Sequence, residues 1–146
     1  MTTSTPVVDT HGNIWINLYR NEGLYCFNTK SNRYTQFFES KNILNIFFGE
    51  KRSYLLSEKF IYSYDSVSQK MDSMHLPFAR KYTFNIRNAY EDNYHRIWLP
   101  GTMNGLFCFD FSKKKVYQYR HDNAKQKSIS TDYITVRHAT AQKIFG

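Results

Sequence analysis

Gly12-Asn13-Ile14-Trp15-Ile16-Asn17-Leu18-Tyr19-Arg20-Asn21-Glu22-Gly23-Leu24-Tyr25-Cys26-Phe27-Asn28 is echoed further along the chain. The echo is His95-Arg96-Ile97-Trp98-Leu99-Pro100-Gly101-Thr102-Met103-Asn104-Gly105-Leu106-Phe107-Cys108-Phe109-Asp110. Asp9 matches Asp92 and Trp15 matches Trp98, both at a separation of 83 residues. After a one-residue gap, Gly23, Leu24, Cys26 and Phe27 match Gly105, Leu106, Cys108 and Phe109 at 82. Tyr34 and Gln36 then align with Val116 and Gln118. So much agreement in one order marks an internal repeat.

A spacing of 83 is twice the length of a four-stranded propeller blade, about 40–45 residues. A degenerate copy is therefore expected midway, and the sequence supplies one. Tyr54-Leu55-Leu56 takes the place of Ile14-Trp15-Ile16, and Phe60 to Asp65 that of Gly23 to Asn28. A fourth copy begins at Tyr133 and runs to Ile144-Phe145-Gly146. Each copy reads as four short strands; in the third they fall at about 86–91, 96–100, 105–110 and 115–120, separated by Gly/Asn turns. Side chains alternate along a strand, so Leu24 and Cys26 share one face and Tyr25 and Phe27 the other. Both faces are apolar, whereas a sheet with one wet face alternates polar and apolar residues. A blade covered on both sides by its neighbours has that pattern.

The expected fold is all-β, a partial β-propeller of about three four-stranded antiparallel blades plus the start of a fourth. It forms a single partial propeller over 1–146, with blade one at 7–38, blade two at 43–75, blade three at 86–121 and the start of blade four at 133–146. An eight-stranded sandwich or open barrel is the rival, but it does not account for the echo.

Composition agrees. Twelve Tyr, twelve Phe and two Trp raise aromatics to 18%, and flat rings favour pleated surfaces where they meet cross-strand neighbours. No apolar stripe at i, i+3, i+4, i+7 persists for three turns. Lys and Arg number 20 against 12 Asp and Glu, for a formal charge of +8. That surplus permits attraction to nucleic acid, anionic lipid or acidic sugars without choosing among them. The basic run Lys113-Lys114-Lys115 falls where a turn is expected and reads as a solvated turn, with a phosphate or sulfate contact as the alternative. The N-terminus shows no signal peptide, and no window approaches the roughly 18 apolar residues of a membrane span.

The pattern Asp-x-x-Gly-Asn-Ile-Trp-Ile, then Gly-Leu-Tyr-x-Phe-Asn, then an aromatic-ending strand, resembles the two-component regulator propeller repeat. The stretch from His121-Asp122-Asn123 through Ser128-Ile129-Ser130 to Tyr133-Ile134-Thr135-Val136 looks like that family's link between blades. The resemblance spans about residues 7–146; it is strong in copies one and three, weak in copy two and broken in copy four. It implies a fragment of the periplasmic sensor propeller of a hybrid two-component histidine kinase of the Bacteroidetes type, detecting an oligosaccharide. Nothing here resembles a kinase phosphoacceptor helix, an ATP-binding box or a DNA-reading helix, so the chain is not expected to signal alone. Both ends fall inside a blade, which leads us to expect a truncated, excised or self-assembling piece.

No catalytic constellation stands out. The chain has no Gly-x-Ser-x-Gly elbow and no Gly-rich phosphate loop, and an enzyme is not expected. His11, His75, His95, His121 and His138 never fall at i, i+4 or beside a Cys, so no metal site is predicted. His11 and His95 read as equivalent turn residues. Cys26 and Cys108, two blades apart, are expected as buried free thiols, and Trp15 and Trp98 as core residues. Propeller ligands tend to sit on loops at one end of the ring. The candidates there are Tyr19, Arg20, Asn21 and Glu22 in one strand-two to strand-three loop and Met103 and Asn104 in another. The blade-to-blade links add His121, Asp122 and Asn123, with Arg80, Lys81 and Tyr82. An aromatic beside Arg and Asn suits a sugar, though these are also ordinary turn residues.

No cofactor is expected. The implied partners are an oligosaccharide for the intact parent and other blades or other copies of the chain, with no nucleic acid and no membrane segment here. Two other readings stay open: a self-assembling, protein-binding propeller piece, and a basic β domain that binds single-stranded nucleic acid on interleaved aromatics.

Overall fold

The computed structural model describes residues 6–18, 23–38, 43–76, 84 and 88–134. Three four-stranded sheets make up this structure, and no α-helix occurs among the described residues. The first sheet contains β1 (Val7–Val8), β2 (Ile14–Leu18), β3 (Gly23–Asn28) and β4 (Arg33–Phe37). The second contains β5 (Ile43–Phe48), β6 (Ser53–Ser57), β7 (Phe60–Asp65) and β8 (Lys70–His75). The third contains β9 (Tyr90–Glu91), β10 (Ile97–Gly101), β11 (Gly105–Asp110) and β12 (Lys115–Tyr119). Every sheet is an antiparallel meander in chain order, the topology of a propeller blade. Two compact units divide the chain, 1–79 with the first two sheets and 80–146 with the third. The start of a fourth blade rests on residues 135–146, which lie outside the described residues.

Ladder registers identify equivalent strand residues in the three copies. Trp15 lies opposite Cys26, Trp98 opposite Cys108, and Tyr54 opposite Ser63. The residue in the Trp position of the second sheet is therefore Tyr54, one place earlier than the expected Leu55. The turn before that strand is also shorter. Five residues, Asp9 to Asn13 and Asp92 to Arg96, join the first two strands of sheets one and three. Only Gly49 to Arg52 does so in sheet two, closed by a 2.9 Å bond from the Gly49 N–H to the Arg52 carbonyl.

A second turn repeats in all three sheets. Asn28, Asp65 and Asp110 end the third strand, and each side-chain Oδ1 accepts backbone N–H bonds from its own turn at 2.9–3.1 Å. The last turn residue is left-handed every time: Asn32 (φ 56°), Gln69 (φ 55°) and Lys114 (φ 53°). A short polar side chain that captures nearby amides is what such a reversal needs. Lys113 and Lys114 of the basic run lie in this turn, and Lys115 opens β12.

Within the first unit, two aromatic faces close on one another. Trp15, Leu24 and Cys26 meet Ile43, Leu55 and Tyr62, with Phe37, Phe48 and Tyr64 around them. Trp15 is fully buried, stacks on Phe37 at 5.3 Å and takes the edge of Tyr64 at 5.7 Å. The Asn17 side-chain amide donates to the Ile43 carbonyl at 2.7 Å, pinning the sheets in register. Emptying a Trp site of this kind costs about 3–5 kcal/mol. In the second unit, Ile97, Leu99, Phe107 and Phe109 are fully buried, and Phe84 packs edge-on against Phe107 at 5.1 Å.

The expectation that each sheet hides both faces is met only in the second sheet in chain order, where Leu55 and Tyr62 on one side and Tyr54 and Ile61 on the other are all buried. In the first sheet Ile14, Ile16, Tyr25 and Phe27 are half-buried, and in the third so are Trp98 and Leu106. No helix among the described residues is long and apolar enough to cross a membrane.

Candidate functional site

The residues expected to hold a ligand divide by position. Tyr19, Arg20, Asn21 and Glu22, with Arg80, Lys81 and Tyr82, lie outside the described residues. Met103 and Asn104 form the tip of the β10–β11 turn, where Met103 is left-handed (φ 60°) and 70% exposed. The Asn104 side-chain amide donates to the Thr102 carbonyl at 2.8 Å and so braces its own turn. His121 and Asp122 begin the segment that leaves β12.

That segment folds back on the same end of the sheet. The Gly105 N–H donates to the Asp132 carbonyl at 2.9 Å, and Gln118 Nε2 donates to the Asn104 carbonyl at 3.0 Å. Together these bonds bring the Met103–Asn104 turn and the His121–Asp132 segment to one place. Asp132 then organises the entry. Its Oδ2 accepts both Nε and Nη2 of Arg120 (3.2 and 3.0 Å), and its Oδ1 accepts the His121 N–H at 2.6 Å. Two guanidinium N–H groups thus converge on one carboxylate oxygen in a charge-assisted pairing. These contacts hold the Asp132 carboxyl below the usual range, the His121 amide contributing most.

Inside the loop, Asp122 works locally. Its Oδ1 accepts the Ala124 N–H at 3.0 Å, and its Oδ2 pairs with Lys125 Nζ at 3.3 Å. The Ser128 hydroxyl accepts the Asp122 N–H and donates back to the Asp122 carbonyl. His121 is fastened at both ring nitrogens, Nδ1 to the Ile129 carbonyl and Nε2 to Asn123 Oδ1, each at 2.7 Å. With Asn123 Oδ1 turned to the ring, both bonds are made together when both ring nitrogens carry a proton. The Ile129 carbonyl and then Asn123 accordingly raise the His121 pKa above 6.5.

Between this loop and the end of β12 lies an open cleft of about 640 Å³, lined by Gln118 to Asp122, Lys125 and Lys127 to Ile129. It is the size of a small-molecule site. His121 and Asp122, expected from the sequence, line this cleft, and so do Tyr119, Arg120, Lys125 and Lys127, which were not among the expected residues. Their signal was the basic and aromatic content of the link itself. A second hollow, of about 360 Å³, opens between the first two sheets at the turn end and is lined by Asn28, Arg33, Tyr34 and Gln69 among others. Loops at the opposite end had been favoured, so it was not anticipated.

The expected histidine equivalence shifts by one residue. Gly12 (φ 82°) and His95 (φ 58°) are the matching left-handed residues, each donating its N–H to the carbonyl of Asp9 or Asp92. His11 matches Tyr94 instead, since both donate their N–H to the aspartate side chain. Cys26 and Cys108 are free, buried thiols. Among the described residues, no three His, Cys, Asp or Glu side chains converge as metal ligands.

No family model and no curated protein matches the chain. Solved structures do. One is described as the extracellular domain of the hybrid two component system BT4673 from B. thetaiotaomicron, at 19% identity and a TM-score of 0.55, covering 85% of this chain and 17% of that one. A second, BT3049 of the same organism, is described likewise; it is 14% identical with a TM-score of 0.54, over 83% of this chain and 19% of that one. The WD40 domain of Neurospora crassa Pan2 is 17% identical with a TM-score of 0.51, over 80% of this chain and 39% of that one. At such identities the likeness establishes the blade fold. The chain spans less than a fifth of the two extracellular domains.

Proposed function

We propose that the chain is part of the extracytoplasmic sensor propeller of a two-component system, of the two-component regulator propeller family, and that it contributes to binding an oligosaccharide. The observation that carries this reading is the repeated Asp-to-Trp blade, combined with a fold shared with two extracellular domains of hybrid two component systems. The ligand end is the one where the β10–β11 turn and the 120–132 link meet, with Asn104, His121 and Asp122 beside the cleft. Signalling belongs to kinase parts of a parent protein. There, ligand binding shifts the population between propeller arrangements by its differential affinity for them. The location that accompanies this reading is the periplasm, and no chemistry is assigned to the chain.

A glycan array probed with the purified 146-residue chain tests it. Retention of at least one oligosaccharide, with amide shifts at residues 102–132, is expected; indifference to every glycan would remove the reading.

A second reading has its own observation. The Trp98 face of the third sheet carries Tyr90, Tyr117 and Tyr119 at 38, 36 and 43% exposure, whereas Trp15 in the equivalent place is fully buried. Contact with another blade, in a parent protein or in a second copy, would cover that face. Light scattering on a dilution series separates the readings: a dimer disrupted by Trp98→Ala favours assembly.

A further inference from the structure

The cleft beside the 120–132 link has a sign as well as a size. Its lining brings the cationic side chains of Arg120, Lys125 and Lys127 and the His121 ring around the Asp122 carboxylate, with the Asp132 carboxylate paired to Arg120. Asp122 is already engaged by the Ala124 amide and Lys125. Arg120 is committed to Asp132, and the His121 ring to Ile129 and Asn123. Both side chains are thereby held in place, Arg120 with its charge balanced by Asp132. Lys125, with 76% of its side chain exposed, and the exposed Lys127 extend toward solvent from this fixed background. The Tyr119 ring, stacked on Trp98 at 5.7 Å, supplies a rigid wall that does not need ordering when a ligand arrives.

We infer that this cleft takes the acidic groups of an oligosaccharide, the carboxylates of uronates or the sulfates of sulfated sugars, with Lys125 and Lys127 as the direct partners. The inference rests on the carbohydrate reading above and narrows it to one chemical class. Lys125 and Lys127 attract an anion across an open, solvent-exposed cleft, so the attraction is modest and screened by salt. Tyr119 is the one tyrosine ring in the cleft's lining, Tyr90 and Tyr117 of the same face lying outside it, and one ring beside a compact charge cluster fits one or two sugar units. Single-stranded nucleic acid is better served by a row of exposed rings along a basic groove, and the cluster spans one loop only.

The experiment is an amide chemical-shift titration of the full 146-residue chain with four probes. They are a tetragalacturonate, a heparin-derived tetrasaccharide, neutral cellotetraose and an eight-nucleotide oligothymidylate. Shifts at residues 118–129 with one or both acidic sugars are expected. Affinity should fall about tenfold in the Lys125→Ala, Lys127→Ala double variant, and again between 50 and 300 mM salt, as exposed charge pairs do. A matching amide spectrum shows that the variant is folded. Response to tetragalacturonate assigns carboxylate, and response to the heparin fragment alone assigns sulfate. Cellotetraose binding here with no effect of salt or the lysines overturns the inference while leaving the carbohydrate reading intact. No response to any of the three sugars overturns the inference, and indifference across the glycan array as well overturns the carbohydrate reading. Tighter binding of the oligothymidylate at these residues replaces the acidic sugar with nucleic acid.

Discussion

The Asp9 carboxylate accepts the indole N–H of Trp15 at 2.9 Å, and Asp92 accepts that of Trp98 at 2.8 Å. The same aspartates accept backbone N–H groups two and four residues on: His11 and Asn13 in one copy, Tyr94 and Arg96 in the other. The clamped ring then stacks on the last residue of the fourth strand, Phe37 at 26° or Tyr119 at 27°. One carboxylate thus closes the first turn and fixes the orientation of the blade's largest ring.

Removing that carboxylate strands several buried donors. Asp9→Ala is expected to cost about 3 kcal/mol, since each unsatisfied buried donor costs about 1–3 kcal/mol and relaxation recovers part. Asp92→Ala should cost less, because Trp98 is only half-buried. Burial by itself raises the Asp9 pKa, but bonds from Trp15, from the Asn13 side chain and from the Asn13 and His11 amides outweigh it, and the net shift is below 3.8. A carboxyl with a depressed folded pKa stabilises above its unfolded value and loses that contribution as pH falls through the folded one. Denaturant midpoints from pH 7 to pH 2 should therefore fall in the wild type and converge with those of Asp9→Ala in acid. Parallel curves for the two proteins would contradict the clamp.

Cys26 and Cys108 face the clamped rings from the neighbouring strand. Burial pushes the Cys26 thiol up to about 12, with the Asp9 carboxylate adding to the effect. Burial likewise pushes Cys108 to about 11, against a lowering contribution from Arg96. Thiolate is the reactive form, so neither should react readily at neutral pH. An aromatic disulfide reagent should titrate almost no thiol in the native chain and two after denaturation. Rapid native modification of either cysteine would show that the blade face opens.

These relationships were unevenly visible in the sequence. Asp9, Trp15 and Cys26 recur as Asp92, Trp98 and Cys108 because one backbone geometry makes the same demand twice, and repetition exposes such demands. The second blade has Gly49 where the aspartate would be and a turn one residue shorter, so an apolar run alone could not set its register, and Leu55 was placed where Tyr54 sits. The link was legible only as a likeness. Its order depends on bonds such as His121 to Asp132, eleven residues apart, which follow no period.

Two glycines with positive φ should respond in opposite ways. A methyl group at Gly105 (φ 77°) would overlap the Tyr119 carbonyl oxygen, a backbone atom that cannot move without disturbing the start of the link. At Gly12 (φ 82°) the nearest atom is the Thr29 hydroxyl at 3.8 Å, and the equivalent position already holds His95. Gly105→Ala is expected to destabilise by about 3 kcal/mol and to shift amides across residues 119–132, combining a steric clash with a strained φ. Gly12→Asn should change stability by about 1 kcal/mol or less, because Asn tolerates the left-handed region. Thermal melts of the two variants decide it; similar losses would mean that space at Gly105 is not the constraint.

His121 makes the link sensitive to pH near neutrality. The groups facing its ring are the Ile129 carbonyl and Asn123 Oδ1, with the Asp132 and Asp122 carboxylates nearby. A histidine whose folded pKa is raised stabilises below its unfolded value, and the contribution disappears as pH climbs through the folded pKa. Above that point one ring nitrogen loses its proton, and a lone pair confronts an acceptor oxygen only 2.7 Å away. The link should therefore loosen from about pH 6.5 upward, while the sheets, held by their own ladders, should not. Nitrogen chemical shifts of the imidazole and amide exchange rates at residues 121–129, followed from pH 5 to pH 9, report both effects. His121→Gln, which cannot titrate, should flatten the exchange profile. An ordinary titration midpoint, with the neutral ring accepting a bond from the Asn123 amide, would show that Asn123 presents its nitrogen and that the imidazole is not the fixed charge of the cleft.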